Sequence, residues 1–202
     1  MKKLVIVFVI LLAIFAIYWF NFRSEKMDAG KKMEALKAKK HSNPFNTHVD
    51  TMMNAYFELK AAFVEADSIN AKMLGKNLLQ FVDSLPLYEL KKDTAGIFES
   101  ADLQIGDIKA NIESLIKQTT LTEMRQDFRM VSESIYPLLK TIHYEGKTLY
   151  WQNCPMAFGE GKEANWISNT EEIINPFLGK HDPEFKSAML HCGEVKDSIN
   201  SK

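Results

Sequence analysis

Hydrophobic residues recur at alternating steps of three and four in four stretches of the chain. The first stretch carries Val49, Met52, Tyr56, Leu59 and Phe63, and the second Ala71, Leu74, Leu78, Phe81 and Leu85. The third carries Ile105, Ile108, Ile112 and Leu115. The fourth runs through Leu121, Met124, Phe128, Val131, Ile135, Leu138 and Ile142. This spacing puts each set on one face of an α-helix, and none of the segments alternates as a strand would. Short polar joints at Asp67-Ser68 and Gln118-Thr119-Thr120 suit antiparallel neighbours, while the connection from Pro86 to Ala101 is longer. Pro137 is expected to kink the fourth helix. Four stripes that can bury one another predict an all-α fold, an antiparallel four-helix bundle over residues 45–142.

The pattern differs at both ends. Met1-Lys2-Lys3 precedes an uncharged apolar run from Leu4 to Phe20. Seventeen residues at helical rise cover roughly 25 Å, near the short limit for crossing a bilayer. Tyr18, Trp19, Phe20 and Phe22 cluster at the exit, where amphipathic rings favour the lipid–water interface. No A-x-A-like cleavage site follows, so residues 1–22 read as an uncleaved signal anchor, a transmembrane helix holding the chain in the inner membrane through residues 4–22. Residues 23–44 lack a sustained apolar stripe and form a basic stalk or linker, with seven Lys+Arg and three acids. A signal-like start places the bulk of a single-pass protein in the periplasm. The basic stalk, counted by the positive-inside rule, favours the cytoplasmic side instead.

Charge and cysteine usage exclude several function classes. The 202 residues carry a formal net charge of -1, and from Phe45 onward 16 Lys+Arg face 23 Asp+Glu. There is no basic field for nucleic acid. Two cysteines are too few for a disulfide-dense scaffold or a four-cysteine zinc site, and no glycine-rich phosphate loop is present. No serine, histidine and acid fall into a recognisable nucleophile arrangement, so an enzyme is not expected. Composition shifts in residues 143–202, which hold both cysteines, Trp151 and Trp166 of the three tryptophans, and five of the nine glycines. This segment reads as a loop-rich Cys/Met cap packed on the bundle, with Ala164–Ser168 as a short extended piece.

Cys154-Pro155-Met156-Ala157, Trp166-Ile167-Ser168, Ile174-Asn175-Pro176-Phe177 with Gly179, and Met189-Leu190-x-Cys192-Gly193-x-Val195 occur in that order. The series resembles the signature of the bacterial family called domain of unknown function 3347, and the likeness extends over roughly Phe45 to Ile199. The chain departs from that pattern with extra residues from Lys180 to Lys186, and with Phe177 where tyrosine is common. The resemblance implies an exported or anchored domain associated with the periplasmic subunit of a copper or heavy-metal efflux pump.

The residues themselves leave two chemistries open. Cys154, Met156, Met189 and Cys192 are soft sulfur donors, which select Cu(I) or Ag(I) over harder ions, with His143 and His191 as further candidates. The same cysteines could instead form a Cys154–Cys192 disulfide in an exported chain. It would close a loop of about 39 residues and contribute roughly 4 kcal/mol. The leading expectation is a membrane-anchored periplasmic accessory domain that binds a soft metal ion. The alternative is a non-enzymatic structural or interaction module whose cap the disulfide staples.

Overall fold

A computed structural model describes Phe15, residues 40–93 and residues 96–200. The chain divides into the units Met1–Lys37 and Ala38–Lys202, and the elements below all lie in the second. The anticipated transmembrane helix and most of the stalk lie outside the described residues. Among the described residues, no helix is long and apolar enough to cross a membrane.

The four stripes fall on four helices: α1 (Asn43–Val64), α2 (Ser68–Asp83), α3 (Ile97–Lys117) and α4 (Leu121–Thr141). Local chemistry sets their starts. Ser42 accepts the Phe45 N–H at the head of α1, and Asp67 accepts the Asn70 N–H at the head of α2. Thr120 and Glu123 form a reciprocal capping box on α4. At α3 the preceding Gly96 has φ +106°, and the Glu99 carboxylate accepts its N–H. A 3₁₀ helix, Leu87–Lys92, occupies the long connection and buries Leu90. Each helix packs against the next in sequence. Val49, Met52, Tyr56, Leu59, Phe63, Leu78, Ile108, Ile112, Leu115, Phe128, Val131 and Ile135 all lie in the core. The fourth helix runs through Pro137 as one element.

The fold is nevertheless mixed, and the all-α expectation is wrong. The segment anticipated as a loop-rich cap contains a three-stranded antiparallel sheet in the order β2-β1-β3. Its strands are β1 (Leu149–Cys154), β2 (Ala164–Ser168) and β3 (Glu194–Ile199). Trp151 faces Ile167 across one ladder and Asp197 across the other. A bulge between Trp151 and Gln152 then shifts the register, so that Gln152 faces Val195.

Strand β2 coincides with the extended piece expected at Ala164–Ser168, and two features hid the other two strands. In β1 the polar residues Gln152 and Asn153 are buried, which breaks the in–out alternation that marks a half-buried strand. The Gln152 amide reaches the carbonyls of Thr170, Glu171 and Glu172, at 3.0, 3.1 and 3.1 Å. β3 is exposed over Glu194–Asp197 and therefore reads as a surface loop.

Side chains fasten the sheet to the helices. The fully buried Tyr56 hydroxyl lies 3.0 Å from the Ile167 N–H and 2.7 Å from Ser132 Oγ. Ser132 uses its own proton on the Phe128 carbonyl, at 2.9 Å. Tyr56 must therefore donate to Ser132 and accept from Ile167, which satisfies the N–H on the outer edge of β2. On the other side Tyr136 stacks on Trp151 with ring centroids 4.3 Å apart. The Asp197 carboxylate accepts from Tyr136 at 2.8 Å and from Lys140 at 2.6 Å, pinning β3 to α4.

Removing the Tyr56 hydroxyl leaves a buried N–H without an acceptor. Tyr56→Phe should cost about 1–3 kcal/mol, whereas Tyr88→Phe at an exposed site should stay within about 0.5 kcal/mol. Urea denaturation of the two variants checks this.

Candidate functional site

Cys154 ends β1 and is fully buried, while Cys192 follows the turns at Ser187–Cys192 and is half-buried. Their sulfurs are 2.8 Å apart, and both are free thiols. A disulfide bond measures about 2.05 Å, so the pair sits within 1 Å of bonding distance. Burial first, then the hydrogen bond to and charge of Cys154, push the Cys192 thiol up to about 12. At neutral pH Cys192 is therefore a protonated thiol and a poor nucleophile.

The residues that hold the pair together are those of the motif. Asn175 is fully buried, and its side-chain amide donates to the Cys192 carbonyl at 2.9 Å. Its Oδ1 accepts the N–H groups of Phe177 and Leu178, and its own N–H donates to Leu190. One asparagine thus joins the Pro176 turn to the Cys192 segment. Gly193 has φ +142°, and a Cβ there would lie 2.6 Å from the Asn153 carbonyl. Only glycine lets the Cys192 segment approach β1 this closely. Gly179, at φ +61°, meets the Val64 carbonyl in the same way. Phe177 sits against Trp166, Phe158 and Phe128, with centroids 5.9, 5.4 and 6.0 Å away.

Met156 is half-buried and forms part of a cavity wall beside Arg125, and Met189 packs against the core. Neither accepts a hydrogen bond from a cysteine thiol among the described residues. His143 sits at φ +51° just past the end of α4. His191 is exposed, with Nδ1 2.8 Å from the Ile173 carbonyl. Among the described residues, no three of His, Cys, Asp and Glu converge as a metal-binding group.

A family model described as "Protein of unknown function (DUF3347)" matches residues 52–147. The match supports that family. It covers most of α1 through α4 and stops before β1, so the Cys-Pro-Met to Cys-Gly series lies beyond it. No curated protein and no solved structure matches the chain.

Two buried charges escaped the sequence reading, although their positions carried a signal. Lys60 falls three before Phe63 and four after Tyr56, on the apolar face of α1, and is 8% exposed. Arg125 falls three before Phe128 and four after Leu121, on the apolar face of α4, and is 6% exposed. Lys60 Nζ lies 3.1 Å from Ser168 Oγ, a pairing that superficially resembles a serine–lysine catalytic dyad. Ser168 is 1% exposed, so no substrate reaches it, and the contact is structural.

Burial lowers the Lys60 pKa from 10.5 to about 8. Between those values the unfolded chain holds the extra proton, so folding stability rises with pH from 8 to 10.5. Over that pH range the gain amounts to roughly 3 kcal/mol. Lys60→Met should be the more stable protein at pH 7, and the parent should close the gap by pH 10.5, measured by urea denaturation at both pH values.

Proposed function

We propose that this chain is a non-enzymatic module of an exported heavy-metal-handling system, and that its cap is stapled by a Cys154–Cys192 disulfide in an oxidising compartment. The observation that carries this reading is the 2.8 Å separation of the two sulfurs. A metal ion bound by two thiolates at about 2.3 Å each in tetrahedral geometry needs the sulfurs well over 3 Å apart. The pair is thus closer to bonding than to bridging an ion. Oxidation transfers two electrons and two protons from the thiols to a disulfide oxidant of the compartment by thiol–disulfide exchange. The bond joins the end of β1 to the segment leading into β3, where Gly193 permits the close approach and Asn175 anchors the Cys192 carbonyl.

A second reading rests on the half-exposed position of Cys192 and on both cysteines being free thiols. Reduced, Cys154 and Cys192 could open by about 1 Å and take Cu(I) or Ag(I), drawing on the thioethers of Met156 and Met189. Family resemblance is what connects either chemistry to metal efflux. An exported location supports the disulfide and is undermined by a cytoplasmic one, because cytosolic thiols stay reduced.

Alkylating the full chain directly from cells, before and after reduction, separates these readings. We expect both cysteines to be blocked until reduction, and reduction to cost about 2–4 kcal/mol in stability. Cys154→Ser should match the reduced parent. Free thiols in cells, together with tight Cu(I) uptake that Met156→Leu and Met189→Leu both weaken, would replace the staple with the metal site. A reporter fused after Lys202 should be active as a periplasmic enzyme and silent as a cytoplasmic one.

A further inference from the structure

A cavity of about 550 Å³ lies between the start of α4 and the loops on either side of β2. That volume falls within the range of small-molecule sites. Its wall combines aromatic and thioether surface from Phe158, Phe177, Phe185 and Met156 with two buried charges, Arg125 and Asp182. These are 6% and 8% exposed. The remaining charges on its wall, Glu160, Lys162 and Glu184, are exposed on the rim, where solvent screens them.

The two inner charges are held in place but do not neutralise each other. Arg125 Nε donates to the Pro176 carbonyl at 3.0 Å and Nη2 to the Phe63 carbonyl at 2.9 Å. Nη1 makes no hydrogen bond among the described residues. Asp182 Oδ1 accepts the N–H groups of Glu184 and Phe185, at 3.0 and 2.9 Å, which leaves Oδ2 for another partner. The side chains form no ion pair, although they feel each other. Burial lowers the Arg125 pKa to about 10, and the charge of Asp182 pulls it back upward. Neither Arg125 Nη1 nor Asp182 Oδ2 is among the buried side-chain atoms without a partner, so both reach the solvent of the cavity, where the charges of a ligand can take the place of water.

We propose that this cavity binds a small zwitterion with an apolar side chain, an L-α-amino acid of the phenylalanine, leucine or methionine type. The ligand carboxylate accepts from Arg125 Nη1, and its ammonium group donates to Asp182 Oδ2. The apolar side chain rests against Phe158, Phe177, Phe185 and Met156.

Titration calorimetry of the full chain tests the proposal with L-phenylalanine, L-phenylalaninamide and N-acetyl-L-phenylalanine. The amide removes the negative charge and the acetyl group removes the positive one. We expect the free amino acid to bind tighter than about 1 mM, and each derivative to bind at least about tenfold more weakly. Asp182→Asn keeps the Oδ1 acceptor that holds the turn, so it should fold. It should lose at least about tenfold for phenylalanine and leave N-acetylphenylalanine unaffected. Three results overturn the site: none of L-phenylalanine, L-leucine and L-methionine binding, N-acetylphenylalanine binding as well as phenylalanine, or Asp182→Asn binding phenylalanine as the parent does.

Discussion

The hydroxyl of Tyr56 is the contact on which the joining of helices and sheet depends. Strand β2 is an edge strand, and the N–H of Ile167 on its outer side is buried against α1 and α4, out of reach of water. A buried amide without an acceptor is expensive, so some group on the helices has to meet it. Tyr56 does so, and its own proton passes to Ser132, whose proton passes to the Phe128 carbonyl. Every donor in the chain is used once. The ring beneath that hydroxyl stacks on Phe128, which in turn approaches Phe63 and Phe177. Polar and aromatic contacts therefore converge at one place, and the helical core continues into the sheet without a break.

Around that junction buried polar groups help to organise the cap. Asn153, Gln152 and Asn175 are each almost fully buried, and their amides tie together segments distant in sequence. Buried amides of this kind fix a single arrangement, because any other leaves several donors unmet. The sulfur pair is a consequence of this scaffold. Gly193 allows the close approach, Asn175 holds the Cys192 carbonyl, and the thiols arrive in contact. The ordered motif that singled out this segment is in large part a record of how the cap folds. Met189 belongs to the same scaffold, since its carbonyl accepts the Cys192 N–H at 3.0 Å.

Much of the helical half was legible in the residues, and little of the sheet was. A helix declares itself locally, since its apolar face returns every three to four positions and its caps lie within one turn. Val49 to Phe63 and Leu121 to Ile142 needed no partner to be recognised. Ser42 and Thr120, which cap these helices, lie outside the two stripes. Strand β1 could not be recognised this way. Its buried Gln152 and Asn153 look like loop residues until the carbonyls that satisfy them are in place. Strand β3 presents charge to solvent along most of its length, and only pairing with β1 makes it a strand.

The sequence by itself determined the four helices, their buried faces, and which sulfur atoms the cap would contain. Those features depend on spacing within one segment and on side-chain chemistry. Tertiary structure decided that the cap holds a sheet, that Cys154 and Cys192 touch, and that Arg125 and Asp182 border one cavity. Each of these joins residues ten or more positions apart. The pairing is selected by hydrogen-bond satisfaction and close packing in three dimensions, and those terms have no value until the chain has folded.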